Sequence, residues 1–577
     1  MRRTGIAAAA LVCILFFGTS CSASEIVKHH DVKIPMRDGV ELSANIVLPD
    51  SEGSFPVIIV RTPYGKENAD DEGEGDYWAE RGCGHVFQDC RGTGLSDGEW
   101  IPVVNEHDDG LDTHQWVLKQ PWCNGKIGTT GGSYLGGTQV LPSPDAGDYW
   151  KAMFCEVPLV GWYDNCAYVG GAFQSQTLLG WGSEMIEPTG GEGAGLPDDF
   201  ELEEALWHLP LMEYDTQLGR KVPFMRDWIA HPEFDDFWAK SDLGDGTLRM
   251  QVPCIIVSGW YDIFVQQALD FVSEVRNHSV SEKGRKHCHL IVGAWAHGVN
   301  AVFDEPDFGK HAEFDYDDLR SDWFAYWLKG EGDGFEELAP YQIFVMGRNE
   351  WRSEQEWPLA RTQYTKYYFH SGGSANTLNG DGTLDRKIRG DEPIDEYVYD
   401  PANPVPTHGG CLLMGWPGPL DQRRIERRED VLVYTSDVLK EDLEVTGPVK
   451  VVLYASSDAR DTDWTAKLVD VHPSGRAYNL CDGIQRARYR EAVRGAQLLE
   501  KNKVYRYEID CWSTSNVFGK GHRIRVEISS SNFPRFDRNP NTGHPFGVDA
   551  ELNKAKHQVF HNREYPSHIV LPVIDDE

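Results

Sequence analysis

The sequence is short of basic residues. Its 577 residues contain 55 lysines and arginines against 91 aspartates and glutamates, which gives a formal net charge of −36. A surface this negative repels phosphate backbones and anionic lipids, so the composition argues against a protein that binds nucleic acid. Internal repeats and low-complexity tracts are lacking as well, and the hydrophobic and charged fractions, 40% and 25%, are typical of globular proteins. The chain length predicts about three folded domains.

Long apolar runs are absent beyond the first residues. The one candidate, Ile6–Phe17, follows two arginines, is too short for a comfortable membrane span and precedes several small residues. This order is typical of an export signal. We therefore predict that residues 1–24 are a signal peptide, with Cys21 as a candidate lipid attachment site and ordinary cleavage near Ala23 as the alternative. The mature protein is expected to be exported, and to be periplasmic, secreted or lipid-anchored at the cell surface.

Cysteine pairs with zinc-binding spacing are lacking among the ten cysteines that follow the signal. Cys155, Cys254 and Cys288 lie in or beside apolar, strand-like runs, where a cysteine is usually a small core residue. The cysteine pattern therefore predicts no zinc site, and it leaves the disulfide pairing open.

Strand-like and helical segments alternate in residues 25–159 and again in residues 250–334. Continuous apolar runs within them are typical of strands buried on both faces of a parallel sheet. These runs are residues 57–60, 254–257 and 290–292. Residues 109–120 have the spacing of an amphipathic helix. Together these patterns predict an α/β core built from two separate stretches of chain.

The stretch between the two parts of the core has a different composition. Residues 160–249 are rich in tryptophan, phenylalanine, methionine and acidic residues, and residues 227–240 have helical spacing. An insertion of this kind between two sheet strands predicts a helical cap.

The last part of the chain, residues 335–577, is dominated by short runs of alternating β-branched residues with turn residues between them. The clearest runs are residues 431–439, 449–457, 465–473 and 522–530. This pattern predicts a β-sandwich or jelly roll.

The segment IGTTGGSYLGG (127–137) places small residues on both sides of Ser133, after a strand-like run. A serine on a sharp turn from strand to helix needs small neighbours, because the backbone is strained there. Such a turn exposes the serine Oγ and places the next backbone N–H, that of Tyr134, where an oxyanion can form. The glycine common two residues after the serine is replaced by Leu135, and Gly136 follows. Gly-Gly-Ser alone is also a commonplace loop sequence.

A serine nucleophile needs a base and a carboxylate that orients the base. Asp262 follows the apolar run 254–257, and His297 follows the run 290–292. Both therefore lie where parallel strands end, which is where the active sites of α/β proteins gather. The order Ser133, Asp262, His297 is the order found in α/β-hydrolases.

Several segments resemble the cocaine esterase and X-Pro dipeptidyl-peptidase superfamily of serine hydrolases, which also includes α-amino-acid ester hydrolases. The matching segments in the first 300 residues are RTPYGK (61–66), QDCRGTGLSDGEW (88–100), QPWCNGKIGTTGGSYLGGTQ (120–139), SGWYDIF (258–264) and GAWAHG (293–298). Those in the β-rich part are residues 446–477 and 521–539. The resemblance covers nearly all of the chain after the signal. It implies an α/β-hydrolase core, an inserted helical cap and a C-terminal jelly-roll domain.

Carried over position by position, the resemblance implies Ser133 as nucleophile, Asp262 as the orienting carboxylate and His297 as general base. It also implies that the Tyr64 hydroxyl stabilises the oxyanion together with the backbone N–H of Tyr134. No metal or organic cofactor is expected.

Two departures from the family pattern bear on the site. Pro142 and Pro144 shorten the helix after the serine, because proline lacks the backbone N–H and clashes with the preceding turn. The acidic pair that binds a substrate ammonium in α-amino-acid ester hydrolases is replaced by an apolar segment, residues 263–265. Asp164 and Glu156 are the alternative carboxylates near the cap.

Aromatic residues near these positions are candidates for the substrate pocket, because ligand pockets are mainly apolar. We predict that Trp162, Phe173, Trp260 and Tyr261 bind substrate. The expected substrate is a small ester or amide, or a short peptide.

The sequence thus predicts an exported serine hydrolase that cleaves acyl bonds through an acyl-enzyme. Dipeptide release from X-Pro peptides is one alternative, and a surface binding protein with an inert hydrolase core is another. The oligomeric state is left open.

Overall fold

The computed structural model describes residues 26–50, 52–68, 71–190, 195–300, 303–492 and 494–575. The predicted signal segment, with Cys21, lies outside the described residues. Every helix in the described ranges is too short or too polar to cross a bilayer.

The first part of the chain builds a large sheet with a parallel centre. The strands of this part of the chain, in chain order, are β1 (Val27–Pro35), β2 (Glu41–Leu48), β3 (Phe55–Thr62), β4 (Gly84–Asp89), β5 (Cys123–Gly132), β6 (Trp150–Glu156), β7 (Tyr168–Val169), β8 (Ala172–Phe173), β9 (Cys254–Gly259), β10 (Cys288–Gly293), β11 (Tyr341–Val345) and β12 (Glu350–Glu354). All of them except β7 and β8, which form a small separate hairpin, belong to the large sheet. The sheet order is β1-β2-β4-β3-β5-β6-β9-β10-β11-β12, and β7 pairs with β8 alone. The pairs from β4 to β11 are parallel, as the continuous apolar runs predict.

Helices lie between the strands in the chain. They are α1 (Asp71–Glu80), α2 (Glu106–Leu118), α3 (Tyr134–Val140), α4 (Ser175–Glu184), α5 (Ile186–Gly190), α6 (Leu202–Ala205), α7 (Pro223–Ala230), α8 (Val265–His278), α9 (Glu282–Lys286) and α10 (Tyr316–Phe324). The helix predicted at 109–120 is α2, and it begins with acidic residues that suit the positive end of its dipole. A short π-helical segment, Ala325–Lys329, continues α10.

An insert, residues 157–253, separates β6 from β9, which are neighbours in the sheet. It contains the β7–β8 hairpin, α4 to α7 and several 3₁₀ turns. The helical spacing of residues 227–240 does not produce one helix: α7 ends at Ala230, and a 3₁₀ turn follows at Trp238–Ser241. Pro232 explains the break, because proline disfavours the helical conformation of the residue before it.

The rest of the chain forms a β-rich domain. Its strands are β13 (Thr362–His370), β14 (Thr383–Asp385), β15 (Asp395–Tyr399), β16 (Leu432–Ser436), β17 (Leu443–Ser457), β18 (Asp463–Val471), β19 (Ala477–Arg486), β20 (Tyr505–Phe518), β21 (Arg523–Ser529), β22 (Ala555–Phe560) and β23 (His568–Ile574). All four predicted strand runs are found, as β16, β17, β18 and β21. The predicted fold class, an α/β core with an insert and a C-terminal β-domain, is confirmed.

The sheet of the α/β core extends past the predicted domain boundary at residue 335. β11 is parallel to β10, and β12 is antiparallel to β11 and forms the last strand of the sheet. β11 and β12 therefore pair with the core sheet although they follow residue 335 in the chain.

Candidate active site

Ser133 lies on the turn between β5 and α3, where the sequence predicts it. Its backbone has φ 57° and ψ −121°, in a region that residues with a side chain rarely adopt. The turn is held by neighbouring backbone groups: the N–H of Ser133 donates to the carbonyl of Glu156 (2.9 Å), and the N–H of Leu159 donates to the carbonyl of Ser133 (3.1 Å). The strained backbone is thus fixed by the end of β6.

Close packing explains the glycines around this serine. A Cβ atom on Gly136 would lie 2.6 Å from the Cβ of Pro158, and Gly131 has φ 134°. Gly136, which follows one position later than the glycine of the common motif, therefore cannot carry a side chain without a clash. The helix that follows, α3, has only seven residues, and a 3₁₀ turn with Pro144 at its start succeeds it.

Ser133, His297 and Asp262 form a continuous hydrogen-bonded chain. His297 Nε2 lies 2.9 Å from Ser133 Oγ, and His297 Nδ1 lies 2.7 Å from Asp262 Oδ1. Asp262 is fully buried, and the Ser258 hydroxyl donates to its other oxygen at 2.8 Å. Because the buried carboxylate accepts from Nδ1, Nε2 is left to accept the serine proton.

Three neighbouring loops at the same edge of the sheet bring this chain together. Ser133 follows β5, Asp262 follows β9 and His297 follows β10, and all three strands are parallel. Parallel strands end at one edge of the sheet. Ser133 and Asp262, which are 129 positions apart in the sequence, therefore meet there, and so do Asp262 and His297, which are 35 positions apart.

Tyr64 follows β3 and reaches the same point. Its hydroxyl accepts a hydrogen bond from Trp181 Nε1 (3.3 Å) and interacts with the side chain of Ser133. Burial raises the pKa of Tyr64 to about 12, so its hydroxyl keeps its proton and can donate it. The backbone N–H of Tyr134, the first residue of α3, has no partner within that helix. These are the two donors that the sequence predicts beside Ser133.

A narrow cavity opens onto Ser133, and Trp162 is one of its lining residues. Its other walls come from the insert, from the residues after Asp262 and from a loop of the β-domain. The lining residues are Tyr64, Ser133, Tyr134, Leu159, Trp162, Cys166, Thr177, Leu178, Trp181, Ile263, Phe264 and Leu413. Among these residues of the described chain, none carries a charged side chain.

Most of the chain matches known protein families. Residues 38–299 match the model of the X-Pro dipeptidyl-peptidase S15 family, and residues 333–570 match the model of the X-Pro dipeptidyl-peptidase C-terminal non-catalytic domain. The chain is 40% identical to a cocaine esterase from Rhodococcus sp. (strain MB1 Bresler), over 94% of this chain and 98% of that protein. It belongs to the cocaine esterase and X-Pro dipeptidyl-peptidase family of serine hydrolases.

Two solved structures share the architecture of this hydrolase. An aminopeptidase from a marine sediment archaeon, Thaumarchaeota archaeon, has a TM-score of 0.81 at 25% identity, over 98% of this chain and 99% of that one. An α-amino acid ester hydrolase has a TM-score of 0.78 at 27% identity, over 96% and 97% of the two chains.

Three residues of this hydrolase that were predicted to bind substrate lie elsewhere. The indole of Trp260 donates to the carbonyl of Phe344 (2.7 Å), and the Tyr261 hydroxyl donates to the carbonyl of Asn479 (3.0 Å). Phe173 packs in the core beside Tyr168. Proximity to Asp262 in the sequence was a poor guide, because the side chains of Trp260 and Tyr261 bond to residues that lie outside the cavity at Ser133.

Two alternative carboxylates also lie outside this cavity. Neither Asp164 nor Glu156 is among its lining residues. Burial raises the pKa of Glu156 to about 7; the charge of Arg320 opposes this rise, and the carboxylates of Glu74 and Asp317 add to it. Glu156 supports the turn at Ser133 through its backbone carbonyl.

The side chain of Tyr134 has a role that the sequence did not suggest. Its hydroxyl accepts from the backbone N–H of Val103 (2.8 Å) and donates to Glu106 Oε1 (3.0 Å). Glu106 in turn pairs with the buried guanidinium of Arg61 at 2.9 Å. The start of α3 is thereby tied to a buried polar network, which holds the backbone N–H of Tyr134 in place.

Proposed function

We propose that this hydrolase cleaves carboxylic ester or amide bonds through an acyl-enzyme, with Ser133 as the nucleophile. His297 removes the proton from Ser133 Oγ as the oxygen attacks the acyl carbon, and then passes that proton to the leaving group. Water attacks the acyl-enzyme with the same imidazole as base. Asp262 holds the imidazole in the required tautomer.

Charge that develops on the carbonyl oxygen is stabilised by Tyr64 and by the backbone N–H of Tyr134. Both donors are fixed before substrate arrives: the first by burial and by Trp181, the second by the start of α3. Donors that need no reorganisation contribute most of the stabilisation in such sites.

The single observation that carries the proposal is the unbroken chain of hydrogen bonds from Ser133 through His297 to Asp262. A serine hydroxyl is only a weak nucleophile at neutral pH without such a base.

The cavity favours an uncharged acyl group as substrate. Its walls, within the described chain, are aromatic and aliphatic, with a thiol and a few hydroxyls. A peptide with a free N-terminal ammonium needs a carboxylate or an equivalent acceptor, since burying an unpaired charge is costly. The 40% identity to a cocaine esterase supports the same preference.

Dipeptide release from X-Pro peptides is the second candidate. It is supported by the family model that matches residues 38–299 and by the likeness to a solved aminopeptidase. A cleft formed together with the β-domain would have to supply the acceptor for the ammonium.

Labelling with a fluorophosphonate probe tests the nucleophile. The wild-type protein should be labelled at Ser133, and the Ser133→Ala variant should not be labelled, with an unchanged melting curve. A folded wild-type protein that stays unlabelled would contradict the proposal and favour an inert binding protein.

Parallel assays separate the two substrate classes. We expect faster turnover of a p-nitrophenyl acyl ester than of an X-Pro p-nitroanilide. Rapid anilide cleavage with little ester cleavage would instead assign the protein to the dipeptidyl-peptidases.

We further propose that residues 1–24 direct export, and that Cys21 is a candidate for lipid attachment. Mass spectrometry of the mature N-terminus distinguishes a lipidated Cys21 from cleavage near Ala23. An intact N-terminus in the cytoplasmic fraction would contradict export.

A further inference from the structure

A cluster of two histidines and one aspartate lies in the β-domain, apart from the cavity at Ser133. Asp470 is at the end of β18, His472 is in the turn that follows, and His522 directly precedes β21. His522 Nδ1 lies 2.8 Å from Asp470 Oδ1, and His472 Nε2 lies 3.6 Å from Asp470 Oδ2. One ligand atom from each residue lies within 4.8 Å of the others.

The strand register explains why the three residues meet. β18 and β21 are antiparallel, and Val471 lies opposite Arg523. The next residues outward, His472 and His522, therefore face each other, and their ring centroids are 4.3 Å apart.

The backbone holds both histidines. The N–H of His472 donates to the carbonyl of Arg476 (2.8 Å), and the N–H of His522 donates to the carbonyl of Gly519 (2.9 Å).

We propose that Asp470, His472 and His522 bind a divalent transition-metal ion of the zinc class. Bonds of about 2.0–2.1 Å in tetrahedral geometry place ligand atoms about 3.3 Å apart. One ligand atom from each of the three residues lies within 4.8 Å of the others, so the residues are close enough to approach this spacing. Two imidazoles and one carboxylate suit zinc, whereas magnesium and calcium prefer oxygen ligands alone.

A cavity of about 290 Å³ adjoins the cluster and provides access for the ion. Its walls come from the β-domain and from loops of the α/β core, including Tyr261, Phe308 and Asn349. The side chains of His472 and His522 are 32% and 19% exposed. Three protein ligands leave a fourth coordination position for water.

The bound ion joins the β18–β19 turn to the start of β21, beside the loop that carries Tyr261. Binding to the folded state alone stabilises the protein, so zinc raises the melting temperature.

Titration calorimetry with Zn²⁺ on the chelator-treated full chain tests the proposal. The Ser133→Ala background keeps this test independent of catalysis. We expect one equivalent to bind, with affinity reduced at least about tenfold in His472→Gln and in His522→Gln. The matched control is the double variant His29→Gln, His30→Gln, which removes an exposed histidine pair in β1 and should leave that affinity unchanged.

Anomalous diffraction from zinc-soaked crystals locates the ion whatever the stability of the variants. A peak within bonding distance of all three side chains is expected. No stoichiometric binding, binding that is lost only in the His29, His30 variant, or a peak elsewhere would each overturn the proposal.

Discussion

The Ser258 hydroxyl donates a 2.8 Å hydrogen bond to Asp262 Oδ2, while His297 Nδ1 occupies Oδ1 at 2.7 Å. Both Ser258 and Asp262 are fully buried. Each oxygen of the Asp262 carboxylate therefore has a hydrogen-bond partner. The fixed carboxylate in turn orients the imidazole of His297 beside Ser133.

Asp262→Asn should reduce kcat by about 10⁴-fold, because the amide presents the wrong group to Nδ1 and favours the wrong tautomer of His297. Ser258→Ala removes only the support of the second oxygen and should cost far less, about tenfold, which corresponds to about 1.4 kcal/mol. Steady-state kinetics of both variants measure the difference. Equal losses in the two variants would contradict this division of roles.

Tyr64→Phe should lower kcat by about 10²–10³-fold with little change in KM, because one donor to the oxyanion is lost. The matched control is Tyr163→Phe, since the Tyr163 hydroxyl donates to the carbonyl of Pro232 and does not line the cavity. Kinetics with a p-nitrophenyl ester measure both variants. Wild-type kcat in Tyr64→Phe would remove Tyr64 from the oxyanion site.

Tyr134→Phe should act on stability more than on turnover. The substitution leaves the buried N–H of Val103 and a carboxylate oxygen of Glu106 without their partner, at a cost of about 1–3 kcal/mol in the free energy of unfolding. The backbone N–H that faces the oxyanion is retained, so turnover per folded molecule should stay near that of the wild type. Urea denaturation and active-site titration measure the two effects separately.

Glu156→Gln should change how stability depends on pH. Burial raises the pKa of Glu156 from 4.5 to about 7 in the folded state. Between these values the folded state binds more protons than the unfolded state, so this carboxyl destabilises the wild type as the pH rises from about 4.5 to 7. The glutamine variant carries no such cost.

Urea denaturation at pH 5 and pH 8 compares the two proteins. Glu156→Gln should be more stable than the wild type at pH 8 by about 1–3 kcal/mol and nearly equal to it at pH 5. A difference that is the same at both pH values would show that the carboxyl is not protonated near neutrality.

Local sequence patterns predicted most elements of this fold. The run 57–60 became the centre of β3, and residues 109–120 became α2, because apolar periodicity reports directly which faces a segment buries. The helix expected over 227–240 failed, since one proline outweighs a periodic pattern.

Some residues of the candidate site could be predicted from local sequence, and others could not. Ser133 could be singled out because a strained turn requires small neighbours that are visible in the sequence. Asp262 and His297 could be chosen because each follows an apolar strand. Leu413 could not be found, since it reaches the cavity from a loop of the β-domain whose position depends on domain packing.

The sequence by itself determined the fold class and the family and singled out Ser133 as the candidate nucleophile, because these depend on short segments and their order. Only the tertiary structure decided which aromatic residues face Ser133, that the core sheet extends to Glu354, and that His472 meets His522. Each of these depends on contacts between segments far apart in the chain, and the geometry of such contacts is set by packing rather than by local pattern.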